Sequence, residues 1–470
     1  MENFSDYKVW GFIMIFAVLL VSLLVANGLK RNFKFLRASL IPTPVLAGLM
    51  LLVISIVYNL ITGDQIFNLA VFNYEGMTTL EIITYHALAL GFIASTLKTS
   101  EKKLTKQRTK EVFDTGVTTV ATYLLQAVLG FGITLIAAWL TGKVFAAAGV
   151  LLPFGYGQGT GQALNYGNIY ETEHGFVGGK SFGLTIAALG FLSASLGGVI
   201  HLAWLKKKGK IIITDTVDED MDTESFQSKG EIPLNGGIDK LTVQLGFILL
   251  SYAITYGIIF LLAKLVPGFA SVLYGFNFLI GVLSATLVKA VFNLLRKKNI
   301  VKKQYTNNFL LNRISNFCFD IMVVAGIAAI RLDALKDYWA ILLILGVVGL
   351  LSTYAYNYFI AKKLFSGYAD EQFLGMFGML TGTASTGIVL LREIDGDFKT
   401  PVADNLVYQN FPAMAFGFPL MLLATLAPKE PILTWWLLVA FFVVMNIILF
   451  RSFIFRKRKK KTEVQQENQQ

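Results

Sequence analysis

A chain of 470 residues that is 55% hydrophobic and 15% charged, with mean hydropathy +0.60, is too apolar for a soluble fold, in which about a quarter of residues carry charge. Its net charge of +11 comes from basic residues in the loops and tail that flank the apolar runs, which reads as membrane topology in preference to a nucleic-acid face. The runs are continuous and about 20 residues long, so the expected fold is an all-α polytopic membrane protein and not an outer-membrane barrel.

The first apolar run, Val9 to Leu29, has no basic segment before it and no small-residue cleavage site. It is therefore expected to be a retained helix and not a signal peptide. Spans are expected at 8–29, 38–60, 80–98, 111–140 and 176–204. A second set follows at 241–266, 273–295, 311–331, 338–361 and 402–427, and an eleventh at 433–450. The loops between them alternate. Residues 30–37 carry Lys30, Arg31, Lys34 and Arg37, whereas 61–79 carry no Lys or Arg. The loop 98–110 is basic and the next holds only Lys143. "KKKGK" at 206–210, the loop 296–303, Lys362 with Lys363, and "RKRKKK" at 456–461 continue the basic side. This places the N-terminus outside and the C-terminus in the cytoplasm. It holds only if the segments 145–172 and 371–396 are re-entrant, entering and leaving on one side. The basic tail is a topology anchor that also suits anionic lipid.

The spans fall into two sets. Residues 1–210 form a first repeat of five spans and 240–428 a second. A polar linker, 211–239, joins them, and an extra helix, 429–450, and a basic polar tail, 451–470, follow. "GFIAS" at 91–95 corresponds to "GIAAI" at 326–330, and "GTGQ" at 159–162 to "GTAS" at 382–385, at offsets of 235 (326 − 91) and 223 (382 − 159). Five spans per repeat make the second run opposite to the first. Inverted-topology repeats are an architecture of secondary transporters, and paired glycine-interrupted segments mark their binding sites.

Those segments are "LLPFGYGQGTGQALNYGNIYE" and "FLGMFGMLTGTASTGIVLLRE". Each reads as a half-helix, a polar tip and a returning half-helix. Unwound backbone survives at membrane depth only inside protein or beside water. At each tip the returning helix offers free N–H groups and a positive dipole end, which favour a carboxylate. Gln158, Gly159, Thr160, Gly161, Gln162, Asn165, Thr383, Ser385 and Thr386 are the expected substrate contacts. Thr160, Gly382, Thr383 and Ser385 offer hard oxygen donors without a carboxylate cage, which suits Na⁺ better than Ca²⁺. The competing reading is close helix packing through small residues. "GQGTGQ" lacks the Gly-Lys-Ser/Thr ending of a phosphate loop.

Asp320, with Asn316 one turn before it, is the ionisable residue inside a span. Two readings stand for it: a cation or proton site, or a hydrated residue at the span's boundary. Arg392 either pairs a substrate carboxylate or anchors an interface. Asp114 and His86 read as interfacial. Cys318 is the single cysteine, which excludes an internal disulfide. His86, His174 and His201 have no metal-ligand spacing. No Ser–His pair or carboxylate dyad sits at a workable spacing in the spans, so no enzyme and no cofactor is expected. An ion channel is the reading from another class; its filter requires a ring of identical loops.

The first tip resembles the re-entrant motif of the bacterial sodium/glutamate symporters, a Gly-Gly-x-Gly-Thr-Gly core followed by an aromatic stretch and a glycine-rich helix. Gly159, Thr160 and Gly161 match the end of the core, Tyr156 replaces its first glycine, and Gln158 fills the variable place. "LTGTASTGIVLL" is similar to the family's second motif without its proline. "IPTPVLAGLMLL" is similar to a further family pattern through Pro42, Pro44, Val45 and Gly48. The resemblance runs from the first span to about Pro428. It implies Na⁺-coupled uptake of L-glutamate across a bacterial cell membrane, a homodimer, and elevator-like movement of a core carrying both tips. A related carrier of a dicarboxylate or hydroxycarboxylate, driven by Na⁺ or H⁺, is the alternative.

Overall fold

A computed structural model describes residues 3–99, 105–209, 238–301, 303–396 and 399–453. The acidic part of the linker, most of the tail with "RKRKKK", and Lys102, Lys103 and Lys302 of the basic loops lie outside the described residues. The first helices are α1 (Tyr7–Asn32), α2 (Lys34–Ala38), α3 (Thr43–Thr62), α4 (Gly76–Leu97), α5 (Lys106–Thr141), α6 (Leu151–His174) and α7 (Gly179–Lys207). Then come α8 (Lys240–Leu265), α9 (Ala270–Gly275), α10 (Asn277–Lys297), α11 (Asn308–Ala328) and α12 (Trp339–Leu364). The last are α13 (Ala369–Thr381), α14 (Ala384–Arg392), α15 (Val402–Tyr408), α16 (Asn410–Leu426) and α17 (Pro431–Leu449).

Among the described residues, ten helices are long and apolar enough to cross a membrane, and eleven if the bent pair α15 and α16 counts as one span. They coincide with the eleven spans expected from hydropathy. Local signals set their ends. The Asp239 side chain accepts from the N–H groups of Leu241 and Thr242 to start α8, and Asn307 accepts from Leu310 to start α11. Large apolar side chains point outward, as at Leu60 (79% exposed) and Leu261 (62% exposed). That surface is unfavourable in water and suits hydrocarbon. The protein is a multi-pass helical membrane protein.

The chain forms two compact units that interleave its halves. One comprises Met1–Lys103, Thr160–Ala188 and Ile212–Lys336; the other comprises Leu104–Gly159, Leu189–Ile211 and Asp337–Gln470. In the first unit α4 packs on α11, α3 on α11, α10 on α4, α1 on α3 and α8 on α10. A Cβ on Gly48 of α3 would lie 2.8 Å from Ile327 Cβ of α11, and one on Gly281 of α10 would lie 3.0 Å from Ile93 Cδ1 of α4. The later part of α6 runs antiparallel to the start of α7. There a Cβ on Gly167 would meet the Gly179 carbonyl at 2.4 Å, and one on Gly183 the Ala163 carbonyl at 2.3 Å.

In the second unit α5 is the central helix, packed by α12, α13, α15, α16 and α17. α17 is fixed by Trp435 Nε1, which donates to the Val128 carbonyl at 3.0 Å, and by an Arg451–Asp114 ion pair at 2.8 Å. Tyr356 of α12 donates to Asn446 Oδ1 at 2.8 Å. α13 and α14 fold against each other as a hairpin. A Cβ on Gly378 would lie 2.8 Å from Gly387 Cα, and one on Gly387 would lie 2.4 Å from the Gly375 carbonyl. The hairpin closes this tightly because no side chain separates the two backbones.

Gly387→Ala is therefore expected to force the hairpin apart and cost about 1–3 kcal/mol. Gly246→Ala, at a position with nothing within 4 Å, should leave stability unchanged or raise it by about 0.5–1 kcal/mol. Thermal unfolding of both variants in one detergent checks the contrast.

Candidate functional site

Two helix breaks lie in the second unit or at its edge. The first is in α6, where one residue, Gly159, leaves the helix with φ 79° and ψ −172°. Only glycine adopts that conformation without strain. The tip expected there as a polar loop is a one-residue interruption in a helix of 24 residues. The second break is between α13 and α14, at Gly382 and Thr383. Here Thr383 caps α14: its hydroxyl accepts from the Thr386 N–H, and its own N–H donates to the Thr386 hydroxyl, both at 3.4 Å. The first-turn N–H groups of Ala384 and Ser385 stay outside this capping box, at the positive end of α14.

α5 brings the two breaks together. Tyr123 Oη donates to the Gly157 carbonyl at 2.9 Å, just before the first break. Gln126 Nε2 donates to the Leu380 carbonyl at 3.0 Å, just before the second, and to Thr353 Oγ1 at 2.8 Å. Residues three apart on a helix are neighbours on one face. Gly190 of α7 marks the same place, since a Cβ there would lie 2.5 Å from the Thr381 carbonyl and 3.2 Å from Tyr156 Cα. Tyr156 Oη reaches the Gly346 carbonyl at 2.6 Å and Ser193 at 2.9 Å. Two helix C-terminal ends thus converge, rich in carbonyl oxygen and negative in dipole, which favours a cation.

The first unit holds the residues after the α6 break. Thr160 is fully buried and donates to the Met322 carbonyl of α11 at 3.1 Å. Gly326 makes room for it, since a Cβ there would lie 2.6 Å from Thr160 Cβ. Gly161 lies against Leu88 and Met322. Asn165 Nδ2 donates to Gln162 Oε1 and to the Gly275 carbonyl, each at 3.2 Å. The Gln162 Nε2 group is buried with no partner among the described residues. Outside this cluster, Glu81 holds Lys180 at 2.7 Å and Arg331 at 3.0 Å, which ties α4 to the start of α7 and the segment after α11.

The other expected residues are dispersed. Asp320 is half-buried on α11, and Met322 lies about 200° round that helix, so Asp320 faces away from the side that meets Thr160. Asn316 is exposed. Thr386 is buried in the capping box, Thr383 is half-buried, and Ser385 is exposed. Gln158 is half-buried. Arg392 is exposed at the last position of α14, about 12 Å along the axis from its first residue, Ala384. Asp114 pairs with Arg451, and His86 Nδ1 lies 2.6 Å from Tyr252 Oη.

Sequence reasoning passed over Tyr123, Gln126, Thr353 and Asn357, which lie in ordinary-looking spans. A signal was present. "TYLLQ" at 122–126 and "TYAYN" at 353–357 share a Thr-Tyr-x-x-amide pattern. Compared with known proteins, the chain matches no family model, no curated protein and no solved structure.

Gly159→Ala should cost about 1–3 kcal/mol through backbone strain alone. Tyr123→Phe should cost about 1–3 kcal/mol by leaving the Gly157 carbonyl unpaired. Chemical unfolding with a matched Tyr74→Phe control, at an exposed position, checks both values.

Proposed function

We propose that this protein is a sodium-coupled secondary transporter that takes up an anionic amino acid, glutamate first among them. The observation that carries the reading is the convergence of two helix breaks on one turn of α5, at Tyr123 and Gln126. Broken helices at membrane depth are expensive, because each freed N–H or C=O must find a partner. A pair of them in one place supports a site for charged solutes. The C-terminal ends at Gly157 and Leu380 offer carbonyls to Na⁺. The Thr383-capped N-terminus of α14, with Ser385 beside it, offers N–H and hydroxyl groups to a carboxylate.

An inverted repeat gives this reading its second support. Exchanging α1, α3 and α4 with α8, α10 and α11 maps each packing contact among these six helices onto another of them. The contact of Gly48 with Ile327 maps onto that of Gly281 with Ile93, at offsets of 233 (281 − 48) and 234 (327 − 93). Five spans per repeat then require opposite orientations. The alternation of basic loops supports an outside N-terminus and a cytoplasmic C-terminus.

The purified protein in proteoliposomes should accumulate labelled glutamate when Na⁺ is high outside, and not when choline replaces it. A competition panel of amino and organic acids should rank anionic amino acids first. Thr383→Val removes the cap hydroxyl and should raise KM for substrate about 10- to 100-fold, through loss of a hydrogen bond to a charged group worth about 1.5–3 kcal/mol. Uptake that ignores the Na⁺ gradient, or single-channel currents, would replace this reading with another.

A further inference from the structure

We propose that the crossing of α5 and α12 is a separate binding site for a monovalent cation, Na⁺, formed by Gln126 Oε1 and Asn357 Oδ1 with the hydroxyls of Thr122 and Thr353. Two hydrogen bonds cross between these helices reciprocally. Gln126 Nε2 donates to Thr353 Oγ1 at 2.8 Å, and Asn357 Nδ2 donates to Thr122 Oγ1 at 3.4 Å. Each helix carries its threonine four residues before its amide, and the two pairs share one offset, 231 (353 − 122 and 357 − 126). The same four residues thus meet from two sides.

The orientation of both amides is fixed by chemistry. Gln126 Nε2 also donates to the Leu380 carbonyl at 3.0 Å, and Asn357 Nδ2 to the Thr353 carbonyl at 2.9 Å. A backbone carbonyl accepts and never donates, so the nitrogen of each amide must face it. The oxygens Gln126 Oε1 and Asn357 Oδ1 are then left buried with no hydrogen-bond partner among the described residues. All four residues are at most 1% exposed. An orphaned buried acceptor costs about 1–3 kcal/mol, and here two occur on side chains that bond across the same crossing.

What answers them must be electron-poor and small. The set is four neutral oxygens, two amide and two hydroxyl, with no carboxylate among them. Neutral hard oxygens match a monovalent cation, whereas Ca²⁺ and Mg²⁺ sites draw on carboxylates. Thr122 Oγ1 already donates to the Thr118 carbonyl at 2.8 Å, so its lone pairs are what it can offer inward. This site uses side chains of α5 and α12, and the transport site uses the helix ends. The inference therefore stands whether or not glutamate is the substrate.

The test is ²²Na⁺ binding to the purified full chain without substrate, at constant ionic strength with choline as the counter-salt. Thr353→Val and Asn357→Leu should each raise the half-saturating Na⁺ concentration at least tenfold or remove one bound Na⁺ per chain. Thr353→Ser, which keeps the hydroxyl, should bind as the wild type does. If Asn357→Leu does not fold, the Thr353→Val and Thr353→Ser pair decides. Unchanged Na⁺ binding in a folded Thr353→Val variant would mean that water alone occupies the crossing and would overturn the proposal. Absence of glutamate uptake by the unmodified protein, together with Na⁺ binding that Thr353→Val weakens, would count against the transport reading and leave this one standing.

Discussion

A backbone carbonyl at membrane depth has no bulk water to turn to, so a break in a helix must be answered by protein or by a wet cavity. In this chain the answer comes from α5. Tyr123 and Gln126 reach two different breaks from one face of one helix. α5 can do so because it is polar where a span is usually apolar. Thr115, Thr118, Thr119 and Thr122 are buried and return their hydroxyls to carbonyls four residues back in the same helix. Self-satisfied threonines make a polar face cheap to bury. They also leave lone pairs for partners such as Gln372, which donates to Thr115 at 3.2 Å.

Glycine solves the steric half of the same problem. Side chains bring small-molecule ligands no closer than their own bulk allows, and two helix ends cannot meet across that bulk. At Gly190 the Thr381 carbonyl and the Tyr156 backbone both approach to distances that a methyl group would block. The α13–α14 hairpin closes through Gly378 and Gly387 in the same way. The glycine-rich segments therefore close-pack helix ends that a side chain would hold apart.

Hydropathy made the spans legible, because an apolar run of about 20 residues has few alternatives. The segments around Gly159 and Gly382 were legible as breaks for the same reason, since polar glycine-rich sequence inside such runs has nowhere else to go. The width of the first break was not. "GYGQGTGQ" has the composition of a loop, yet helix hydrogen bonding resumes after one residue, because a helix is the only way to pair so many N–H groups. Gln126 was illegible by itself, as one amide in a span gives no direction. The two compact units were illegible too, because each draws helices from both halves of the chain.

The proposed repeat accounts for one asymmetry. Under it Gln126 corresponds to Asn357, and Leu380 to Gly157 at the offset of the two tips, 223 (380 − 157). Perfect symmetry would have Gln126 hold the Leu380 carbonyl and Asn357 hold that of Gly157. Gln126 does hold Leu380, but Asn357 is one methylene shorter and bonds the Thr353 carbonyl of its own helix instead. The Gly157 carbonyl is then taken by Tyr123. Tyr354, which corresponds to Tyr123, turns to His201 at 2.8 Å. One methylene thus shifts the support of the first break from an amide to a phenol. Under the proposed repeat the two breaks differ in chemistry, one held by a group that keeps a spare oxygen and the other by a group that fills the space with a ring.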